Sequence, residues 1–200
     1  FIKPSGDGMS QNKNGQSASA QYTDIISYIS MFARGEVEFL DPQYKSYSSY
    51  YLPTDAPINR ENRFGYVLRD IDSDGVDELI LTSGEYGELY DYIYAIVTIK
   101  DGKAYPVAYE GGARNRFYLC QNNIISNEGS NGASYSISKY YRVLNGKLIN
   151  IESVYSEPGE DSIVWYNTVN HSAPKQISRA EAERIQNNHV HQSLTPVIIK

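Results

Sequence analysis

The chain has 200 residues, enough for one domain with a real hydrophobic core and no need of cross-links. Its formal charge of −6 excludes general nucleic-acid binding, which needs a basic face, and no apolar run approaches the ~18 residues of a membrane span. The single cysteine, Cys120, excludes an internal disulfide and a multi-cysteine zinc site within this sequence.

The sequence begins at Phe1 without an initiator Met, as expected of a processed or trimmed start. Residues 1–20 read as a flexible N-terminal tether. Ser5 to Ala20 is almost wholly Ser, Gly, Asn, Gln, Asp, Lys and Ala, and buries too little apolar area to offset its ordering entropy. A tether of this kind separates a secreted domain from a lipid anchor upstream; an ordinary frayed terminus is the plainer alternative. Residues 21–200 are expected to form a single domain.

Tyr22 to Arg34 predicts the first helix, because Tyr22, Ile25, Ile26, Ile29 and Phe32 recur at helical spacing, and Gly35 suits its C-terminal cap. Gln43 to Asn62 reads as a long aromatic connection with one short helical turn. Its Tyr44, Tyr47, Tyr50 and Tyr51 either present a carbohydrate-stacking surface or pack the connection onto the domain with their hydroxyls wet. From Phe64 the pattern becomes β. Tyr66–Leu68 and Leu79–Thr82 flank an acidic loop, and Tyr90–Lys100 and Lys103–Tyr109 flank Asp101-Gly102. Ser136–Leu144 and Lys147–Tyr155 flank Asn145-Gly146. Asp-Gly and Asn-Gly between such runs are strong hairpin signals, because both central residues must accept positive φ. Asn122-Asn123 turns a third hairpin, and Ile163 to Tyr166 offers a last strand. Cys120, beside Phe117, Tyr118 and Leu119, reads as a buried strand thiol. Ser178-Arg179-Ala180-Glu181 is a capping box that opens a short helix over Arg179 to Asn187. The fold class is α+β: an N-terminal helix, an antiparallel β-meander sheet and a short C-terminal helix.

The segment Asp70-Ile71-Asp72-Ser73-Asp74-Gly75-Val76-Asp77-Glu78 carries the chemistry. Calcium takes six to eight oxygen ligands at about 2.3–2.6 Å, so a short chain must wrap around the ion to supply them. Asp70, Asp72 and Asp74 can point carboxylates inward from alternate positions. Gly75 permits the sharp turn, the Val76 carbonyl can face the ion, and Glu78 can close the cage directly or through water. Carboxylates this close repel one another unless a cation sits among them. Magnesium is the weaker alternative, since it demands strict octahedral geometry.

This loop resembles the DxDxDG class of calcium loops found in EF-hands, dockerin modules and integrin-type propeller repeats. Asp70, Asp72, Asp74 and Glu78 match its acidic ligand positions, and Val76 matches its backbone ligand. An EF-hand would need flanking helices and a bidentate Glu where this chain has Leu81; a dockerin needs two such loops, and a propeller several repeats. The strand-loop-strand form remains. The wider run from Tyr66 to Leu81 is similar to uncharacterised secreted or lipid-anchored proteins of Gram-positive bacteria, which implies an extracellular or cell-surface location and a non-catalytic role.

No HExxH, GxSxG, Walker or Rossmann pattern occurs. His189-Val190-His191 has strand spacing for two metal-facing imidazoles but no third ligand beside it, and reads otherwise as an exposed terminus. Glu85, Glu88 and Asp91 among tyrosines could serve as acid and base on a glycan, or form a solvated turn. The expectation is a non-enzymatic, calcium-stabilised surface domain whose partner is a polysaccharide or another surface protein. A glycan-active hydrolase and a calcium-responsive sensor are the alternatives.

Overall fold

Runs of β-branched and aromatic residues separated by Asp-Gly and Asn-Gly specify hairpins, and hairpins dominate the chain. The computed structural model describes residues 18–39, 41–44, 47, 50–52, 63–84, 92–109, 115–130, 132 and 134–200. Among these, eleven strands pair, antiparallel throughout, into one sheet. They are β1 (Arg63–Arg69), β2 (Glu78–Gly84), β3 (Tyr92–Lys100), β4 (Lys103–Tyr109), β5 (Asn115–Cys120) and β6 (Ile124–Ser130). β7 (Ser136–Leu144), β8 (Lys147–Pro158), β9 (Ile163–Val169), β10 (Lys175–Ile177) and β11 (Val197–Ile199) complete it. The order is β10-β9-β8-β7-β6-β5-β3-β2-β1-β11, with β4 pairing to β3 off this path. The sheet is thus antiparallel and mostly sequential, as expected, but β5 pairs with β3 past β4 and β11 returns to β1.

The turns obey their chemistry. Asp101-Gly102 lies at φ 52 and 72, and Asn145-Gly146 at φ 52 and 68, both in the left-handed region that the two-residue hairpin turn requires. Asn122 and Asn123 also have positive φ, but inside a short 3-10 turn between β5 and β6.

Helices pack against the sheet near both ends of the described chain. α1 (Thr23–Ala33), preceded by a 3-10 turn over Ala18–Tyr22, buries Ile25, Tyr28 and Ile29. These meet Phe64, Leu79, Leu81, Tyr94 and Val97 in one cluster. The tyrosines of the aromatic connection pack against it: Tyr44 and Tyr47 lie 5.2 and 5.5 Å from the Tyr28 ring, and Tyr51 lies 5.5 Å from Tyr47. Packing is what most of these rings do, and Tyr50 is the exposed one. α2 (Arg179–Asn187) is capped by the Ser178 side chain, which accepts from the Glu181 N–H at 3.1 Å, as the capping box predicts. It buries Ala182 and Ile185 against Tyr140, Val154, Ile124 and Cys120. Cys120 is fully buried, and burial pushes its thiol pKa up.

A third cluster lies between the two halves of the sheet, where Ile80, Ile93 and Ile96 meet Phe117, Leu119, Ile125 and Val143. Ile71, from the acidic loop, plugs this cluster and is 4% exposed.

Two short strands have no signal in the sequence. β10 pairs with β9, and β11 pairs with β1 through Phe64↔Ile199 and Tyr66↔Val197, covering the edge that β1 would otherwise leave open. The segment between α2 and β11 is not a loose terminus. His189 stacks on Tyr140 at 3.6 Å and its Nε2 lies 3.2 Å from Glu152. His191 stacks on Tyr118 at 4.1 Å, with Nε2 2.6 Å from Glu128. Two rings spaced for one strand face thus each take a separate carboxylate. Neither belongs to a group able to hold a metal among the described residues.

Candidate metal centre

The acidic loop joins β1 to β2, whose register Arg69↔Glu78 and Leu68↔Leu79 fixes both ends. Between them the chain must reverse, and it does so at Ser73 (φ 64) and Gly75 (φ 87). Only glycine adopts the second value without strain between a β-carbon and the backbone.

The aspartates are turned inward by the loop's own backbone. The Asp70 carboxylate accepts the N–H groups of Asp74 at 3.2 Å and Gly75 at 3.0 Å. Asp72 Oδ1 also accepts from the Asp74 N–H, at 3.2 Å. Asp74 is exposed and folds back, its Oδ1 accepting the Val76 N–H at 2.7 Å. Asp70, Asp72 and Glu78 converge, with one oxygen of each carboxylate within 4.8 Å of the others. Asp74 lies outside this group of three, and Val76 is half-buried beside it.

Glu78 lies beneath the loop surface. As the first residue of β2 it points to the same side as Ile80, and it is fully buried. Its Oε2 accepts the Ile71 N–H at 2.9 Å, and its Oε1 accepts the Thr98 hydroxyl at 3.0 Å. Burial, helped by the charges of Asp72 and Asp74, pushes the Glu78 carboxyl up to about 7 against those two hydrogen bonds. Asp72 is also raised, by burial first and then by Asp74, while a backbone hydrogen bond from Asn145 opposes the rise.

Residues far away in sequence complete the surroundings. The Asn145-Gly146 turn of the β7–β8 hairpin reaches Asp72 through Asn145, and the Asn123 side chain donates to the Asp70 carbonyl at 3.4 Å. Tyr22, fully buried ahead of α1, donates its hydroxyl to the Asp77 carbonyl at 2.7 Å. None of these had a local signal. Asn145-Gly146 is legible as a turn, but no spacing places it beside residue 72.

The donor set is all oxygen, three carboxylates in a loop that holds them by backbone bonds, and it fits a hard cation. Glu85, Glu88 and Asp91 lie outside the described residues. Among the described residues no helix is long and apolar enough to cross a membrane. No protein-family model, curated protein or solved structure matches the chain.

Proposed function

We propose that the chain is a non-enzymatic extracellular or cell-surface domain in which calcium, held by Asp70, Asp72, Asp74, the Val76 carbonyl and Glu78, stabilises the junction of β1 and β2. The observation that carries this reading is the convergence of three carboxylates within 4.8 Å, one of them buried at the head of a central strand. An ion would offset their repulsion, hold both strand ends in register, and add its binding free energy to folding. Its chemistry is that of a structural ligand. The carboxylates are held in place by backbone N–H groups.

The test is a thermal melt in EDTA and in added calcium, beside Asp72→Ala with Asp74→Ala. For a site of ~10⁻⁴–10⁻³ M, about 5 mM calcium stabilises by ~1–2 kcal/mol, which raises the midpoint by ~2–8 °C. The double variant should not respond. A native midpoint indifferent to calcium, with no calcium found by metal analysis, sinks the proposal.

A further inference from the structure

The end of the molecule that holds the acidic loop also carries two hairpin tips, which touch. A β-carbon at Gly146, on the β7–β8 tip, would lie 3.1 Å from Thr98 Cγ2 and 3.9 Å from the Tyr105 ring, both on the β3–β4 hairpin. The pairs Arg142↔Ile149 and Leu144↔Lys147 put these four side chains on one face of the β7–β8 tip, opposite the buried Val143. All four are exposed, Leu144 and Ile149 to 55% and 41%. Tyr105 is 42% exposed, with the Lys100 ammonium 5.5 Å from its ring centre.

Two features set this surface apart from scattered exposed residues. Its apolar groups Leu144 and Ile149 stand together beside a chain reversal and belong to none of the core clusters. Its charge also runs against that of the chain. Across the two tips Lys100, Lys103, Arg142 and Lys147 stand against Asp101, in a protein of net charge −6.

We propose that the paired β3–β4 and β7–β8 tips form a docking surface for an anionic lipid bilayer. Leu144 and Ile149 enter the acyl boundary, and the surrounding cations meet the headgroups. The neighbouring loop carboxylates would repel the same headgroups. A calcium ion bound among them offsets part of that repulsion, so docking is strengthened by calcium, a dependence that rests on the reading of the loop given above.

The experiment is co-sedimentation of the full chain with vesicles of phosphatidylglycerol and phosphatidylcholine, against phosphatidylcholine alone, in calcium and in EDTA. Binding to the anionic vesicles at least tenfold above the neutral ones is expected. Leu144→Ser with Ile149→Ser should reduce it at least tenfold, with the melting midpoint and its calcium response unchanged. Arg142→Glu with Lys147→Glu should give a similar loss through charge, and covers the case of a misfolded serine variant. Absence of binding to anionic vesicles overturns the proposal, as does native-like binding by both variants. So does equal affinity for a soluble polyglycerol phosphate chain, which would make the surface a polyanion site. EDTA that weakens docking and lowers the midpoint supports both readings. EDTA that changes neither, while both variants still lose binding, removes the calcium reading and leaves the lipid surface standing.

Discussion

Replacing Glu78 by Gln removes one charge and keeps the shape. The Gln Oε1 can accept the Ile71 N–H, and its amide can donate to the Thr98 hydroxyl, so the two bonds of the native carboxylate at 2.9 and 3.0 Å both have successors. What disappears is a buried negative charge beside Asp72 and Asp74. In the metal-free protein that charge is held at a penalty, since burial lifts the carboxyl from the ordinary 4.5 to about 7. Between these values the folded state retains a proton that the unfolded chain has released. Stability therefore falls as pH rises through the window, and the loss is complete above about 7.

At 1.36 kcal/mol per pH unit, the interval corresponds to ~3 kcal/mol. Glu78→Gln should accordingly stabilise the metal-free protein by ~3 kcal/mol at pH 8 and by only ~1–2 kcal/mol at pH 5.5. For a domain of this size the gain at pH 8 is a rise of ~6–12 °C in melting midpoint. The assay is scanning calorimetry in EDTA at the two pH values, repeated in calcium. With calcium the order should reverse in one respect, because the variant loses a ligand and its calcium-induced rise shrinks. A variant that melts at or below the native protein at pH 8 in EDTA refutes the reasoning. It would mean that the Ile71 and Thr98 hydrogen bonds outweigh the cost of burying the charge.

Two other perturbations probe how the loop is tied to the rest of the fold. Tyr22→Phe strips the Asp77 carbonyl of its 2.7 Å donor and leaves it partly buried, so urea denaturation should show a loss of ~1–3 kcal/mol. Gly146→Ala puts a β-carbon 3.1 Å from Thr98 Cγ2 at φ +68, whereas Gly102→Ala at φ +72 meets nothing within 4 Å. Both should lose ~1–2 kcal/mol to backbone strain, and the excess loss at Gly146, by the same denaturation, measures its contact with Thr98.

The legible parts of this sequence are those whose cause is local. Asp101-Gly102 and Asn145-Gly146 dictate their turns by the φ they tolerate, and Ser178 with Glu181 dictates where α2 begins. The aspartates at 70 and 72 announce their convergence because alternate residues of a tight loop point the same way. β11 was invisible because three residues, Val197 to Ile199, gain their identity only from pairing with β1, more than a hundred positions earlier. The stacking of the His189 and His191 rings is illegible for a similar reason. Their partners Tyr140, Tyr118, Glu152 and Glu128 come from four different strands. Asp74 has the same parity, and one of its oxygens, Oδ1, accepts the Val76 N–H two residues on, a local bond open to any Asp in a turn.

Glu78 is the residue whose burial no local pattern reveals. A loop that only had to reverse the chain could carry its charges at the rim, and an apolar residue at the head of β2 would pack beside Ile71 and Ile80 without penalty. Instead the carboxylate points inward, takes a backbone and a hydroxyl donor, and still does not recover what burial beside two aspartates takes away. Each oxygen of this carboxylate takes one donor, and oxygens of Asp70, Asp72 and Glu78 lie within 4.8 Å of one another. A cation at their meeting point would supply that compensation. The proposed ion thus accounts for a buried charge that the turn alone does not need.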